Sequence, residues 1–403
     1  MLFAAIALSV LTLIYGYVGW RAIRPAPLRP AWKRVLWALL AILWILPPLP
    51  LLLRAFRGES GPLDSVAWVA YLGLGFFVLS FFGILAADVV RLTLALRSWL
   101  VRLGRRLFSG AGHGAPPADA GRRRVLAYPL NAAIVGVSAT LAGYGLAQAI
   151  QWPELVRVRV PLPNLPAELE GFRIVQITDT HFGPMIKERL AGYIVDRTNE
   201  LEPDLIAMTG DLVDGSVDYL KKVVAPLSSL AARQGKFFVT GNHEYYSGAE
   251  PWLDEIDRLG LQVLVNQHRV LQKGAARLLV AGVTDPQGGD YVKGHGTSVG
   301  TAIAGAGPAD VKLLLAHQPR AIFSAAGAGF DLQLSGHTHG GQFYPFSFLV
   351  GLAQPYLKGL HLHDGTWIYV SRGTGFWGPP MRLGTHSEIT LIELTAAKAP
   401  GRV

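Results

Sequence analysis

The chain has 403 residues, enough for more than one domain, and no cysteine, which excludes disulfides and thiolate metal sites. Apolar residues make up 51% and charged residues only 16%, below the usual quarter or so. Through residue 150 there are 15 Lys or Arg against 4 Asp or Glu, while the remainder holds 22 against 24. The basic charge therefore belongs to the N-terminal part and gives no support to a nucleic-acid partner.

Leu2–Trp20 carries no charge over 19 residues, long enough to cross a bilayer at about 1.5 Å per residue. Val35–Leu53 is a second uncharged run, with Pro47, Pro48 and Pro50 near its end. Val66–Ala87 is a third, and Val125–Ile150, which contains Asn131, is a weaker fourth. A core helix or a signal peptide would explain any one of them. Three such runs in close succession predict a helical membrane domain. Arg21, Arg24, Arg29, Lys33 and Arg34 lie between the first two runs, and Arg91, Arg97, Arg102, Arg105, Arg106 and Arg122–Arg124 between the last two. The positive-inside rule puts both loops in the cytoplasm. The expectation is a multi-pass protein of the inner (plasma) membrane whose C-terminal domain is extracytoplasmic.

Leu92, Leu96, Trp99, Leu100, Leu103 and Leu107 recur at helical spacing among arginines, the pattern of a basic amphipathic helix on an anionic surface. Arg122-Arg123-Arg124 before the fourth run reads equally as a twin-arginine export signal or as an ordinary cytoplasmic anchor. The expected divisions are residues 1–106, three spans; 107–124, a basic Gly/Ala/Pro linker; 125–152, the fourth run; and 153–403, a second domain. Pro153–Pro166, extended and proline-punctuated, marks that last boundary.

From Gly171 the pattern changes to short apolar runs that end in polar or glycine-rich turns. Arg173–Thr178, Leu205–Met208, Phe237–Thr240, Arg277–Val283, Val311–Ala316, Asp331–Leu334, Trp367–Val370 and Glu388–Leu394 read as strands. Helical stretches at Arg189–Glu200, Asp218–Arg233 and Pro251–Leu259 fall between them. Buried strands interleaved with helices predict an α/β domain.

Five of these strands end in side chains that bind metals. The endings are Asp179-Thr180-His181, Gly210-Asp211, Gly241-Asn242-His243-Glu244, His317, and Gly336-His337-Thr338-His339. Each residue alone has a simpler reading: a turn or helix cap for the aspartates, a turn for Asn242, an exposed loop for the H-x-H pair. Together, at the C-terminal edge where open sheets place ligand sites, they form an oxygen and nitrogen set suited to Mn, Fe, Zn or Mg. The set is too large for one ion with an open position. It suits two divalent ions bridged by a carboxylate, the device of phosphoryl hydrolysis.

In order and spacing, D-x-H, G-D, G-N-H-E, H and G-H-x-H resemble the calcineurin-like metallophosphoesterases, from about Gly171 onward. The similarity is greatest to the bacterial branch with N-terminal membrane or twin-arginine segments, related to pyrophosphohydrolases that cleave UDP-diacylglucosamine. The resemblance implies a four-layer αββα sandwich joined here to an α-helical membrane domain. It implies that Asp179, His181 and His339 hold one metal, that Asn242, His317 and His337 hold the other, and that Asp211 bridges. His243 would stand beside the scissile phosphate, with a metal-bridged hydroxide attacking phosphorus. Arg372, in Ser371-Arg372-Gly373, is a candidate phosphate clamp, with a structural ion pair as the competing reading.

Asp214 reads as loop support, and His361-Leu362-His363 as surface. Phe343-Tyr344-Pro345-Phe346 and Phe376-Trp377 read as core or as an apolar lip. The leading expectation is a membrane-tethered two-metal phosphoester hydrolase with the bilayer as partner and a phosphoester substrate, in its finer form a lipid-linked one. The competing classes are a catalytically weak metal or nucleotide sensor, which should have lost ligands, and a transporter, which should carry ionisable residues inside its spans.

Overall fold

The computed structural model describes residues 2–49, 61–108 and 120–397. Its described residues divide into two compact units, one holding 2–49 and 66–146, the other 61–65 and 147–397.

The first unit is built from α1 (Leu2–Ala22), α2 (Pro30–Ile45), α3 (Gly61–Phe108) and α4 (Ala120–Ala149). Its core includes Ile14, Tyr15, Val18, Leu40, Phe77 and Ile84. With Pro30 in its first turn, where the missing N–H costs nothing, α2 has 16 residues. That is shorter than the predicted Val35–Leu53 run, whose last residues fall outside the described ones. The third uncharged run and the basic amphipathic stretch are one helix of 48 residues. No proline interrupts the chain between them. Among the described residues two helices are long and apolar enough to cross a membrane, Asp64–Gly104 and Tyr128–Ala149. Most of the Gly/Ala/Pro linker lies outside the described residues, and Arg122–Arg124 falls in the first turns of α4. The polar side chain of Asn131 is bonded on both sides, donating to the Arg21 carbonyl at 3.0 Å and accepting from Arg91 at 3.1 Å.

The second unit contains β1 (Glu154–Leu162), β2 (Arg173–Ile177), β3 (Leu205–Met208), β4 (Gly235–Phe238), β5 (Gln262–Val263), β6 (Gln267–Lys273), β7 (Ala276–Gly282), β8 (Val311–Leu315), β9 (Leu332–Ser335), β10 (Gly359–His363), β11 (Thr366–Val370) and β12 (Glu388–Ala396). They form two mixed six-stranded sheets, ordered β1-β12-β2-β3-β4-β5 and β10-β11-β9-β8-β7-β6. Ile174, Leu205, Ala207 and Phe237 of the first sheet meet Leu278, Val280, Leu313, Leu315, Leu332 and Leu334 of the second in one buried core. Alternate residues of the second sheet, Ala281, Leu314, Ile368 and Val370, point the other way, as the two-residue strand period requires. There they pack under Val299, Ala302, Ile322 and Ala325. Each buried leucine or isoleucine removes enough apolar surface to contribute about 1.5–3 kcal/mol.

On the 188–199 helix, Ala191, Ile194, Val195 and Thr198 are buried at the i, i+3, i+4, i+7 positions of one face. The predicted helix over 218–233 is shorter, Val217–Val224, and passes into a 3-10 turn at Ala225–Ser229 that contains Pro226.

Parallel pairing sets the position of the site. β2 runs parallel to β3 and β3 to β4, so all three finish at one edge. β8 and β9 are likewise parallel, and they bring His317 and the 337–339 loop to the facing edge of the second sheet. β1 is the departure from expectation. The proline-punctuated stretch is a strand, paired in register with β12 from Glu154↔Glu388 to Leu162↔Ala396.

Candidate metal centre

The strand ends converge. Asp179, His181 and His339 offer ligand atoms all within 4.8 Å of one another, and so do Asp211, His317 and His337. Asp211 also groups with His181 and His243, which places its carboxylate between the two clusters. Nε2 of His181 lies 3.0 Å from Nε2 of His339, and Nδ1 of His337 lies 3.1 Å from Nε2 of His317. Nε2 of His317 is 3.1 Å from Oδ2 of Asp211, and Nε2 of His339 is 3.4 Å from Oδ1 of Asp179.

The backbone is bent to achieve this. Asp179, His181, Asp211, His337 and His339 all have positive φ, between 48° and 70°, a region that non-glycine residues seldom enter and that concentrates at functional sites. The neighbouring glycines are required by close approach. A Cβ on Gly241 would sit 2.1 Å from Oδ1 of Asp211, and one on Gly336 would sit 2.1 Å from Oδ2 of Asp179.

Hydrogen bonds fix the ligands from behind. The His317 ring contacts the Thr209 carbonyl through Nδ1 at 2.8 Å, which leaves Nε2 facing the cluster. The His337 amide donates to Asp179 at 2.9 Å, and the His243 amide donates to Asp211 at 2.9 Å. Glu244, fully buried, accepts from the amides of Gly241, Asp211 and Leu212 at 2.7, 3.0 and 2.7 Å. It thereby locks the second and third ligand loops together. Burial, with Asp211 nearby, pushes its carboxyl up to about 7.

The charges are unbalanced in a way that a cation would correct. Burial alone would raise the pKa of Asp211, but His317 and His243 outweigh it and hold the carboxyl well below its usual range. Burial and the adjacent His317 lower His337 to about 3, and burial with His181 holds His339 well below its usual value. Asp211 is thus held as a carboxylate and His337 and His339 as neutral imidazoles, the protonation states that bind metal, while at His317 burial is outweighed by Asp211, which pushes the ring well above its usual value. Oδ1 of Asn242 and Nδ1 of His339 are buried with no hydrogen-bond partner. A buried, orphaned amide oxygen on the residue next to His243 fits a metal ligand. By donor chemistry the residues fit divalent ions.

His243 differs from the ligands. Its Nδ1 is 2.5 Å from Oδ1 of Asp214, and the same carboxylate lies 3.2 Å from Nδ1 of His181. Burial alone would lower His243, but Asp214 and Asp211 push it up to about 9. One carboxylate thus orients both a candidate ligand and the candidate acid. The D-L-V-D spacing carried that signal, since Asp214 follows the Asp211 turn by three residues. An Asp214→Asn protein keeps the volume and loses the charge. We expect kcat to fall about 10- to 100-fold, the usual scale for outer-shell partners, as measured by steady-state kinetics alongside metal content.

Arg372, read both as a phosphate clamp and as an ion pair, makes ion pairs. Its Nε donates to the buried Glu388, and its guanidinium lies 3.5 Å from Glu154. The fully buried arginine is Arg382, which donates to the carbonyls of Arg372 at 2.8 Å and of His339 at 3.4 Å. It ties the 372–375 loop to the His339 loop. The apolar lip is partly real. Trp377 and Tyr246, each about half exposed, stand 5.4 and 5.2 Å from the His243 ring, centroid to centroid. His361 and His363 lie on the edge strand β10, away from the cluster.

Two mixed sheets thus carry, at their shared edge, an oxygen-nitrogen cluster whose donors suit divalent metal ions. The sequence pattern of the calcineurin-like phosphoesterases matches residues 172–341. An uncharacterized metallophosphoesterase of Helicobacter pylori is 38% identical over 265 residues, 64% of this chain and 70% of the relative. One of Campylobacter jejuni is 33% identical over 320 residues, 79% of each chain. A "transmembrane protein with metallophosphoesterase domain" of Danio rerio is 38% identical over 269 residues, 65% of this chain and 62% of the relative. The chain thus spans a little under two thirds of that relative's length. It belongs to the calcineurin-like phosphoesterase family.

Proposed function

We propose that the protein is a membrane-anchored phosphoester hydrolase that uses two divalent ions. The observation that carries the reading is the meeting of five strand ends, in which Asp211 lies between two groups of metal-binding side chains. Asp179, His181 and His339 would hold one ion, Asn242, His317 and His337 the other, with Asp211 shared. Bound divalent ions supply neutralisation of phosphoryl charge and acidification of water.

The chain's own residues do the rest. Hydrolysis breaks the bond from phosphorus to the leaving oxygen, puts a water oxygen in its place and delivers a proton to the leaving group. His243, whose pKa Asp214 pushes up, would give that proton. Trp377 and Tyr246 beside it offer apolar surface to the leaving group.

Two apolar helices and a relative named as a transmembrane protein support anchoring. We favour a multi-pass arrangement with the α/β unit outside, from the charge bias of the loops, and a lipid-linked phosphodiester or pyrophosphate as substrate. The test is metal removal. The chelated full-length protein should lose turnover of an aryl phosphodiester and regain it with Mn, with about two ions bound per chain by elemental analysis. Undiminished turnover at undetectable metal content would overturn the reading.

A further inference from the structure

The helix Phe346–Ala353 is built inside out. Its sequence, FSFLVGLA, has no charge, and the one residue it buries is Ser347. Phe348 is 68% exposed and Leu352 86%, with Leu349 half exposed between them. Folding in water selects the opposite arrangement, and a contiguous apolar face of this kind marks a surface that something covers.

The helix is tied to the metal-binding loop. A Cβ on Gly341 would meet the Cβ of Ser347 at 2.4 Å. The Ser347 amide donates to the Phe343 carbonyl at 3.1 Å, and the Gln342 amide group donates to the Trp377 carbonyl at 2.7 Å. The helix, the exposed Trp377 and the candidate ligands His337 and His339 therefore belong to one edge of the sheets.

Only Ile150–Pro153 separates the apolar helix ending at Ala149 from β1, a reach of about 15–18 Å at most. Glu154 pairs with Glu388, and β12 runs antiparallel to β2 so that Glu388 lies beyond Gln176, toward Thr178 and Asp179. Glu154 is also 3.5 Å from Arg372, in the loop that follows β11. The chain enters at the metal-centre edge. Trp152, 46% exposed, stands at the entry, and tryptophan is a residue enriched at bilayer interfaces.

We infer that the Phe346–Ala353 helix docks into the lipid bilayer surface and holds the metal-centre edge against it, so that the phosphoester is taken from the membrane interface. This rests on the hydrolase reading for its substrate, but not for the docking itself. Phe348, Leu349 and Leu352 enter the interface as the apolar face of a short amphipathic segment. A short tether at the same edge keeps that face within reach of the headgroups.

The absence of cysteine makes the test clean. Full-length Leu352→Cys protein, labelled with a thiol-reactive fluorophore, is reconstituted into phosphatidylcholine vesicles containing nitroxide-labelled lipid. The label at 352 should be quenched. One at Ala275→Cys, in the exposed β6–β7 turn at the opposite edge, should not. In a Phe348→Asp, Leu352→Asp protein the ratio of bilayer-embedded to soluble phosphodiester turnover should fall on the order of ten-fold. No quenching at 352, equal quenching at both positions, or an unchanged ratio would overturn the proposal. So would a label shielded only as the protein self-associates, which would make a second copy the cover. If neither substrate is turned over, the hydrolase reading fails, and the quenching alone decides the docking.

Discussion

Replacing Asp211 by alanine should cost more than any other single change in the site. Its carboxylate lies within ligand distance of both histidine groups, 3.1 Å from His317 and 3.8 Å from His181. It also accepts the His243 amide, and its own amide is held by Glu244. Removing it takes away a negative charge shared by the two candidate ion positions and leaves buried imidazoles facing each other across a void. We expect metal content to drop and turnover of an aryl phosphodiester to fall on the order of 10³-fold or more, at or beyond the scale for loss of a transition-state stabiliser. Elemental analysis and kinetics on the same preparation check it. A protein that retained both full metal content and full activity would sink the two-metal assignment. Fold loss is a separate outcome, read by thermal unfolding. Only the carboxylate group is lost, and the two-sheet core of Ile174, Leu205, Leu313 and Leu332 is a separate cluster.

The site was legible because its residues sit where strands stop. β2, β3, β8 and β9 are short runs buried on both faces, which read as strands from composition alone. Parallel strands must finish at one edge, so the order of endings predicted a cluster before any distance was known. What escaped reading was the supporting structure. β1 carries Pro161, and Pro163 and Pro166 follow it, so it read as an extended domain boundary rather than as a strand of the sheet. It is an edge strand, and an edge is where a sheet tolerates proline. Arg382 and Glu388 stand far along the chain from the loops they support. Their role depends on loops that only the closed sheets bring together. Arg372 was read both as a phosphate clamp and as an ion pair, and its distance to a glutamate 16 residues away has no local sequence signature. The Val66–Ala87 run and the basic amphipathic stretch, read as two features, are one continuous helix with no proline between them.

His243→Ala should separate chemistry from metal binding. In the G-N-H-E turn the Asn242 side chain is the candidate ligand, and His243 is held instead by Asp214 at 2.5 Å. Truncation therefore removes the proton donor and leaves every candidate ligand in place. The expected result is unchanged metal content with kcat lowered roughly 10²–10⁴-fold, the usual contribution of a general acid. The loss should depend on the leaving group. A nitrophenolate departs without a proton, so its ester should lose least. An alkoxide needs one, so an alkyl phosphodiester should lose most. A uniform loss across leaving groups would instead assign His243 to stabilising charge on the phosphoryl oxygens. An equal fall in metal content would place it among the ligands. The Asp214→Asn protein should show the same leaving-group slope in weaker form, since it keeps the ring and removes only the carboxylate that orients and charges it. That shared slope, rather than the size of either loss, is what would tie the two residues to one proton.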